Sequence, residues 1–271
     1  MYKMIALDIN GTLLTDKKEL TAEVIEAVKK AHKVGVKIVL CTERSYDGIV
    51  KVVHDIGNQY IDYAICFNGA LVKDAKTHTI LSRVNLTKDD LSYLYLLSER
   101  AGCSVHFDDE HSIYTPNQHI GKYTVQEAYY SNAPLYYRNV YDLPDKFVPS
   151  KAIFSEEQQK LDNFINKLPK DFFSRFHAVK SGPNFFEILN STASKGNALK
   201  SLCERLNIDQ LDVLAIGDHD NDLSMLSFAG KSIAMGNSDK AVLKIADDVT
   251  GTNNESGVAA AIEKYILNLK N

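Results

Sequence analysis

Short apolar runs alternate with stretches of helical periodicity in the first 70 residues, and again after residue 194. Strand-like runs end at Asp8, at Cys41 and at Phe67, and a fourth run ends at Gly217. The stretch between the first two runs has Thr21 in an N-cap position, followed by apolar residues at helical spacing. This alternation predicts an α/β fold, with a Rossmann-like parallel sheet core and helices on both faces.

The pattern changes in the middle of the chain, where strand-like pieces outnumber helices and aromatic residues are frequent. The spacing predicts a helix over residues 87–101 and a strand over residues 172–179. We therefore expect an α+β domain at residues 84–187, inserted into a core made of residues 1–83 and 188–271.

The composition is typical of a globular protein, with 45% hydrophobic and 24% charged residues among 271. A net charge of −4 and the absence of Lys/Arg tracts argue against a nucleic acid or an anionic membrane as a partner. The strand-like opening MYKMIAL lacks a basic region followed by a long apolar run, and no apolar stretch reaches about 18 residues. We expect a cytoplasmic protein with no membrane partner, and the sequence does not indicate its oligomeric state.

The cysteines do not form a metal or redox motif. They lie far apart, with no C-x-x-C pair, at Cys41, Cys66, Cys103 and Cys203. Cys41 beside Thr42 could suggest a thiolate phosphatase, but it follows an apolar run and lacks a longer loop to hold a phosphate. A buried strand residue is the favoured interpretation of Cys41.

Four of the predicted strands end next to polar side chains, which are Asp8, Thr42, Asn68 and Asp218. Parallel strands bring their carboxyl ends to one edge of a sheet, and ligands bind outside that edge, so these side chains should lie close together. Two carboxylates with backbone carbonyls and waters suit Mg2+. The chain has no His/Cys set that would favour a softer metal.

Two further residues can join this group. Lys195 opens a predicted helix after Ser194, where a cation and a helix N-terminus together favour an anion. Asp222 lies four residues after Asp218, where it could hold a metal-bound water or orient Lys195. Thr42 can donate a hydroxyl hydrogen bond to the same anion. Each residue alone is also a common capping or turn residue, but the whole set favours a site.

These residues fall in ordered motifs that resemble those of the haloacid dehalogenase-like hydrolases. The motifs are Asp8-Ile9-Asn10-Gly11-Thr12, then Thr42, then Lys195, then Gly217-Asp218-x-x-Asn221-Asp222. The inserted domain, placed between the second and third motifs, is similar to the α+β cap of the Cof-type sugar phosphatases. The ordered set is specific, whereas D-x-x-G-T alone would be a weak signal.

The resemblance implies a Mg2+-dependent phosphatase that acts on small phosphorylated metabolites, such as sugar phosphates. Asp8 would attack the phosphorus and become an aspartyl phosphate. The implied Mg2+ ligands are Asp8, the backbone carbonyl of Asn10, Asp218 and Asp222. The implied contacts to the substrate are the backbone N–H of Ile9 and the side chains of Thr42, Arg44, Asn68, Lys195 and Asn221. The cap would close over the substrate, and residues 106–115 and 182–186 are expected to line it.

Asn10 departs from the family pattern, which has an aspartate there to protonate the leaving oxygen and later to activate water. Asn10 cannot exchange a proton, and loss of a general acid/base costs about 10²–10⁴ in rate. We therefore expect Mg2+ and phosphate binding with turnover nearly abolished. The alternative is a catalytically silent protein that binds phosphorylated metabolites. A phosphotransferase or mutase would usually need a small helical cap and an acid/base at position 10, and neither is indicated.

Glu43 is a second departure, because the family usually has glycine in this T-G-R triplet. Its carboxylate adds negative charge beside the expected phosphate site. Two outcomes stay open at this point: the side chain turns away and pairs with a cation, or it weakens phosphate binding.

Overall fold

The computed structural model describes residues 2–268, and two compact units divide the chain. The core unit comprises the chain up to Glu43, Ile49–Ser82, and the chain from Ser194 onward. The inserted unit comprises Arg44–Gly48 and Arg83–Ala193. Each unit has its own sheet.

The strands, in chain order, are β1 Met4–Asp8, β2 Lys37–Cys41, β3 Tyr63–Cys66, β4 Leu71–Asp74, β5 Ile80–Arg83, β6 Ser104–Asp108, β7 Ile113–Thr115, β8 Leu135–Tyr137, β9 Lys151–Ser155, β10 Phe176–Gly182, β11 Phe185–Asn190, β12 Val213–Gly217, β13 Lys231–Ala234 and β14 Asp248–Val249. The α-helices are α1 Ala22–Lys33, α2 Val50–Ile56, α3 Lys88–Ala101, α4 Lys122–Ser131, α5 Gln158–Ile165, α6 Phe172–Arg175, α7 Lys195–Leu206, α8 Leu223–Phe228, α9 Lys240–Ile245 and α10 Gly257–Ile262.

The core sheet has the strand order β14-β13-β12-β1-β2-β3-β4-β5. The six strands from β14 to β3 in this order are parallel to one another. One face packs against Leu199 of α7 and Met225 of α8, while α1 buries Val24 and Val28 where it meets β2 and α10. The predicted α/β fold with a parallel sheet is confirmed.

An antiparallel extension of this sheet was not predicted. β4 runs antiparallel to β3, and β5 follows it at the edge. The Asp74 side chain accepts the backbone N–H groups of Lys76 at 2.9 Å and Thr77 at 2.8 Å, which closes a tight turn between β4 and β5. Strands of four residues give little alternation for a sequence pattern to detect.

The inserted unit has a six-stranded sheet in the order β10-β11-β9-β6-β7-β8. One face of this sheet carries an apolar core that includes Leu94 of α3, Leu161 of α5 and Phe172 of α6. The predicted domain boundary after residue 187 falls inside β11, which pairs with both β9 and β10. Because a strand stays with its hydrogen-bonded partners, the inserted unit runs to Ala193.

One local prediction in this unit was wrong, and one helix was not predicted. The stretch 172–179 begins with the single turn α6 and becomes β10 only at Phe176. The helix α4 was not predicted, because it buries only Thr124 and Ala128 and has weak apolar periodicity. Among residues 2–268, no helix has the length and apolar character needed to cross a membrane.

Candidate active site

The four predicted strand ends lie side by side in the core sheet, on β12, β1, β2 and β3. Asp8 is the last residue of β1, and Thr42 and Asp218 directly follow β2 and β12. Asn68 follows β3, and its backbone N–H donates to the Thr42 carbonyl at 2.9 Å. All four side chains are buried. The parallel topology therefore gathers one carboxylate or polar group from each of four neighbouring strands.

Lys195 carries the buried positive charge of this site. It is the first residue of α7, after Ser194, whose side chain accepts the Asn197 N–H at 3.1 Å. Its Nζ donates to Asp8 Oδ1 and to Asp222 Oδ1, both at 2.7 Å. Burial lowers the pKa of Lys195, but the carboxylates of Asp222 and Asp8 outweigh this effect and raise it. The lysine is therefore held as a cation between two carboxylates.

Asp222 uses its second oxygen to hold the start of the loop after β12. This Oδ2 accepts the backbone N–H of Asp218 at 2.9 Å and that of His219 at 3.2 Å. Both oxygens of Asp222 thus have protein donors. Of the two roles that the sequence allows for this residue, the geometry favours orienting Lys195.

Three carboxylates form the candidate cation site. Oxygen atoms of Asp8, Asp218 and Asp222 lie within 4.8 Å of one another. Asp8 Oδ2 is buried and has no hydrogen-bond partner within the described part of the chain. Burial and the Asp222 carboxylate raise the pKa of Asp8, and burial raises that of Asp218. A hard divalent cation fits such an oxygen set, because it would supply the missing partner and offset the cost of the buried charges.

Asp218 is fixed by residues that the sequence reasoning missed. Its Oδ1 accepts the Thr12 hydroxyl at 2.9 Å, and its Oδ2 contacts Nδ1 of His219 at 2.5 Å. Asn237 donates to the Gly11 carbonyl at 2.8 Å and lies 3.5 Å from the same carboxylate. Asn237 comes soon after β13, next to β12 in the sheet, so the strand-end argument could have identified it.

Gly11 allows the turn after β1 to approach this carboxylate. Its φ is +81°, and an added Cβ would collide with the side chain of Asp218. The first motif therefore requires glycine at this position, both for its positive φ and because a side chain would have no room.

Glu43 faces Asn10 and Thr42. The Asn10 side-chain amide donates to Glu43 Oε1, and the Thr42 hydroxyl donates to Glu43 Oε2 at 3.1 Å. On its other side, Asn10 Oδ1 lies 3.5 Å from Nζ of Lys18. The carboxylate thus turns toward two predicted site residues rather than away from them.

The remaining predicted contacts are divided between the two units. Asn221 donates to Asn68 Oδ1 at 3.1 Å, and Asn68 Nδ2 is buried with no hydrogen-bond partner among residues 2–268. Ile9 has a buried side chain, and its carbonyl accepts the Leu14 N–H at 2.9 Å. Arg44 belongs to the inserted unit, and its contact with a substrate phosphate stays a prediction.

Comparison with known proteins gives similarity over nearly the whole chain. A family model described as haloacid dehalogenase-like hydrolase matches residues 5–262. YxeH of Bacillus subtilis, provisionally named a phosphatase, is 42% identical over 268 residues, which cover 98% of this chain and 99% of YxeH. The phosphatase YwpJ of the same organism is 31% identical over 294 residues, covering 98% of this chain and all of YwpJ.

A solved structure gives the same result for the fold. The crystal structure of a haloacid dehalogenase-like hydrolase from Bacteroides thetaiotaomicron superimposes with a TM-score of 0.86 at 29% sequence identity. The superposition covers 97% of this chain and 99% of that one.

Proposed function

Because the chain belongs to the haloacid dehalogenase-like hydrolases, we propose that it is a Mg2+-dependent phosphatase of small phosphorylated metabolites, with sugar phosphates as the first class to test. One observation carries this proposal. Lys195 holds one oxygen of the Asp8 carboxylate at 2.7 Å, while the other oxygen is buried without a hydrogen-bond partner in the described residues. Such a carboxylate is oriented and has an oxygen free for a reaction partner or a cation.

Asp8 is the proposed phosphoryl acceptor. A carboxylate oxygen forms a bond to phosphorus as the ester P–O bond breaks, which leaves an aspartyl phosphate and an alkoxide that takes its proton from water. Water then attacks the phosphorus, releases inorganic phosphate and restores Asp8. Lys195 and Thr42 are the proposed donors to the transferring oxygens. Asp8 and Asp218 are the proposed ligands of Mg2+, which would offset negative charge when bound.

Asn10 limits the rate in this proposal. Its amide cannot give the leaving alkoxide a proton or accept one from water, and the loss of such a group costs about 10²–10⁴ in rate. Slow turnover with intact phosphate binding is the expected behaviour. The same residue also supports the second candidate function, a silent protein that binds phosphorylated metabolites.

Phosphate release with MgCl2 and a panel of sugar phosphates separates these candidates. We expect Asn10→Asp to release phosphate faster than the unchanged chain. Asn58→Asp is the matched control, since it adds the same charge at an exposed position. Equal rates for the unchanged chain and Asn10→Asp would contradict the assignment of Asn10 as the rate-limiting residue.

A further inference from the structure

Glu43 lies between two residues of the proposed phosphate site. It directly follows Thr42 at the end of β2, and its carboxylate is partly buried. One oxygen accepts the Asn10 amide and the other accepts the Thr42 hydroxyl at 3.1 Å. A carboxylate that accepts two such donors fixes the direction in which both side chains point.

The contact between Asn10 and Glu43 depends on the amide at position 10. An amide N–H and a carboxylate attract each other, whereas two carboxylates at hydrogen-bond distance repel. The sequence is consistent with this geometry, because the acid is at position 43 and the amide is at position 10. An aspartate at position 10 would face Glu43 and be pushed out of the orientation that Asn10 has.

The Thr42 hydroxyl is engaged in the same way. It has a single proton to donate, and in this structure it donates to Glu43. A phosphate oxygen that takes this donor must displace the Glu43 carboxylate, which carries charge of the same sign.

We propose that Glu43 is a positioning residue that holds Asn10 and Thr42, couples positions 10 and 43, and competes with the substrate phosphate for the Thr42 hydroxyl. The inference rests on the proposed function for the identity of the anion. It predicts that Asn10→Asp alone recovers only part of the missing turnover, because Glu43 opposes the new carboxylate.

The first experiment measures the binding of inorganic phosphate by calorimetry in MgCl2. We expect Glu43→Gln to bind phosphate about tenfold more tightly. A tenfold change in affinity corresponds to the free energy of one hydrogen bond to a charged group. Glu23→Gln removes the same charge from an exposed position of α1 and should leave the affinity unchanged. Equal affinities for Glu43→Gln and the unchanged chain would overturn the competition between Glu43 and phosphate.

The second experiment is a double-mutant cycle with p-nitrophenyl phosphate. We expect Asn10→Asp to raise kcat less than tenfold, and Asn10→Asp with Glu43→Gln to raise it by about 10²–10⁴. Glu43→Gln alone should change the phosphate affinity and KM with little effect on kcat, a division that a purely structural role would not produce. Equal kcat values for Asn10→Asp and the double variant would overturn the coupling.

The two experiments separate this inference from the proposed function. If phosphate binds more tightly to Glu43→Gln but no variant releases phosphate, the phosphatase proposal fails while the positioning role of Glu43 is supported. If Asn10→Asp alone restores full turnover and Glu43→Gln has no effect, the phosphatase proposal is supported and the role of Glu43 is wrong.

Discussion

Both units bury a lysine beside carboxylates, but the arrangements around Lys195 and Lys151 differ. Lys195 of the core unit donates hydrogen bonds of 2.7 Å to two carboxylates, Asp8 and Asp222. Lys151 of the inserted unit, in β9, has three carboxylates around it at 3.6–3.8 Å, which are Asp108, Glu127 and Glu187. The first lysine is tightly held by its neighbours, and the second lies in a looser group of charges.

The two groups also arise in different ways. The core group comes from strand ends and the turns that follow them, where parallel strands converge. The inserted group comes from neighbouring antiparallel strands of its sheet, with Glu127 added from α4. Lys151 and Asp108 are cross-strand partners of β9 and β6, and their neighbours Ala152 and Phe107 point to the opposite face, into the apolar core. The ends of parallel strands and the turns after them bring Lys195 and its carboxylates into close contact, whereas antiparallel cross-strand pairing sets the spacing of Lys151 and Asp108.

The looser group contains polar atoms that lack a hydrogen bond. Both ring nitrogens of His106 and Oδ1 of Asp108 are buried with no hydrogen-bond partner in residues 2–268. Burial lowers the pKa of His106 to about 4, and burial raises the pKa of Asp108 well above its usual range. Low dielectric surroundings thus favour the neutral forms of both groups.

Removing each lysine tests the comparison most strongly. Lys195→Met leaves two buried carboxylates without their cation and should lower the free energy of unfolding by about 3–5 kcal/mol. Lys151→Met should cost about 2 kcal/mol less, since the three ion pairs that it loses are longer than the hydrogen bonds of Lys195. Urea denaturation at pH 7 measures both, with exposed Lys200→Met as the matched control in α7. Equal losses would contradict the distinction between a tight and a loose group.

The dependence of stability on pH tests the inserted group. His106 has a folded pKa of about 4, below the value of about 6.5 in an unfolded chain, so the unfolded state takes up a proton first as the pH falls. The contribution of the buried, neutral imidazole to the free energy of unfolding is present above pH 6.5. It is lost as the pH falls toward 4, by up to about 3 kcal/mol.

Replacing the imidazole should remove this contribution. We expect His106→Gln to flatten the decline of the unfolding free energy between pH 7 and pH 4, measured by urea denaturation at several pH values. His54→Gln, at an exposed histidine, is the control and should follow the unchanged chain. Identical pH profiles for His106→Gln and the unchanged chain would show that this imidazole does not carry the effect.

Binding of Mg2+ should distinguish the acidic group of the core unit from that of the inserted unit, with a smaller effect on stability. At 100 times its Kd, the cation would stabilise the folded chain by about 2.7 kcal/mol and raise the Tm. We expect Asp218→Asn to abolish this rise and Asp108→Asn to keep it, in thermal melts with MgCl2 against EDTA. If only Asp108→Asn abolished this rise in Tm, the cation would bind in the inserted unit and not in the core unit.

Much of the core site could be predicted from the sequence. The order of strands and helices, the strand ends at Asp8, Thr42 and Asp218, and the helix that begins at Lys195 all follow from local patterns. Apolar periodicity, capping residues and turn residues act over a few positions, and parallel topology then forces the strand ends together. The fold class and the membership of the acidic cluster were therefore decided by the sequence itself.

Only the tertiary structure decided how these side chains are used. The Asn10–Glu43 contact joins residues 33 positions apart, and the Thr12–Asp218 hydrogen bond spans 206 positions. Neither the inward turn of Glu43 nor the charged face around Lys151 leaves a local signal, because each depends on which elements meet in space. A hydrogen bond across 27 positions assigns one oxygen of Asp222 to Lys195, whereas the other oxygen is held by local hydrogen bonds from the backbone after β12. Interactions between residues close in sequence determine the helices and strands. Packing between these elements determines which hydrogen-bond donors lie next to each buried carboxylate.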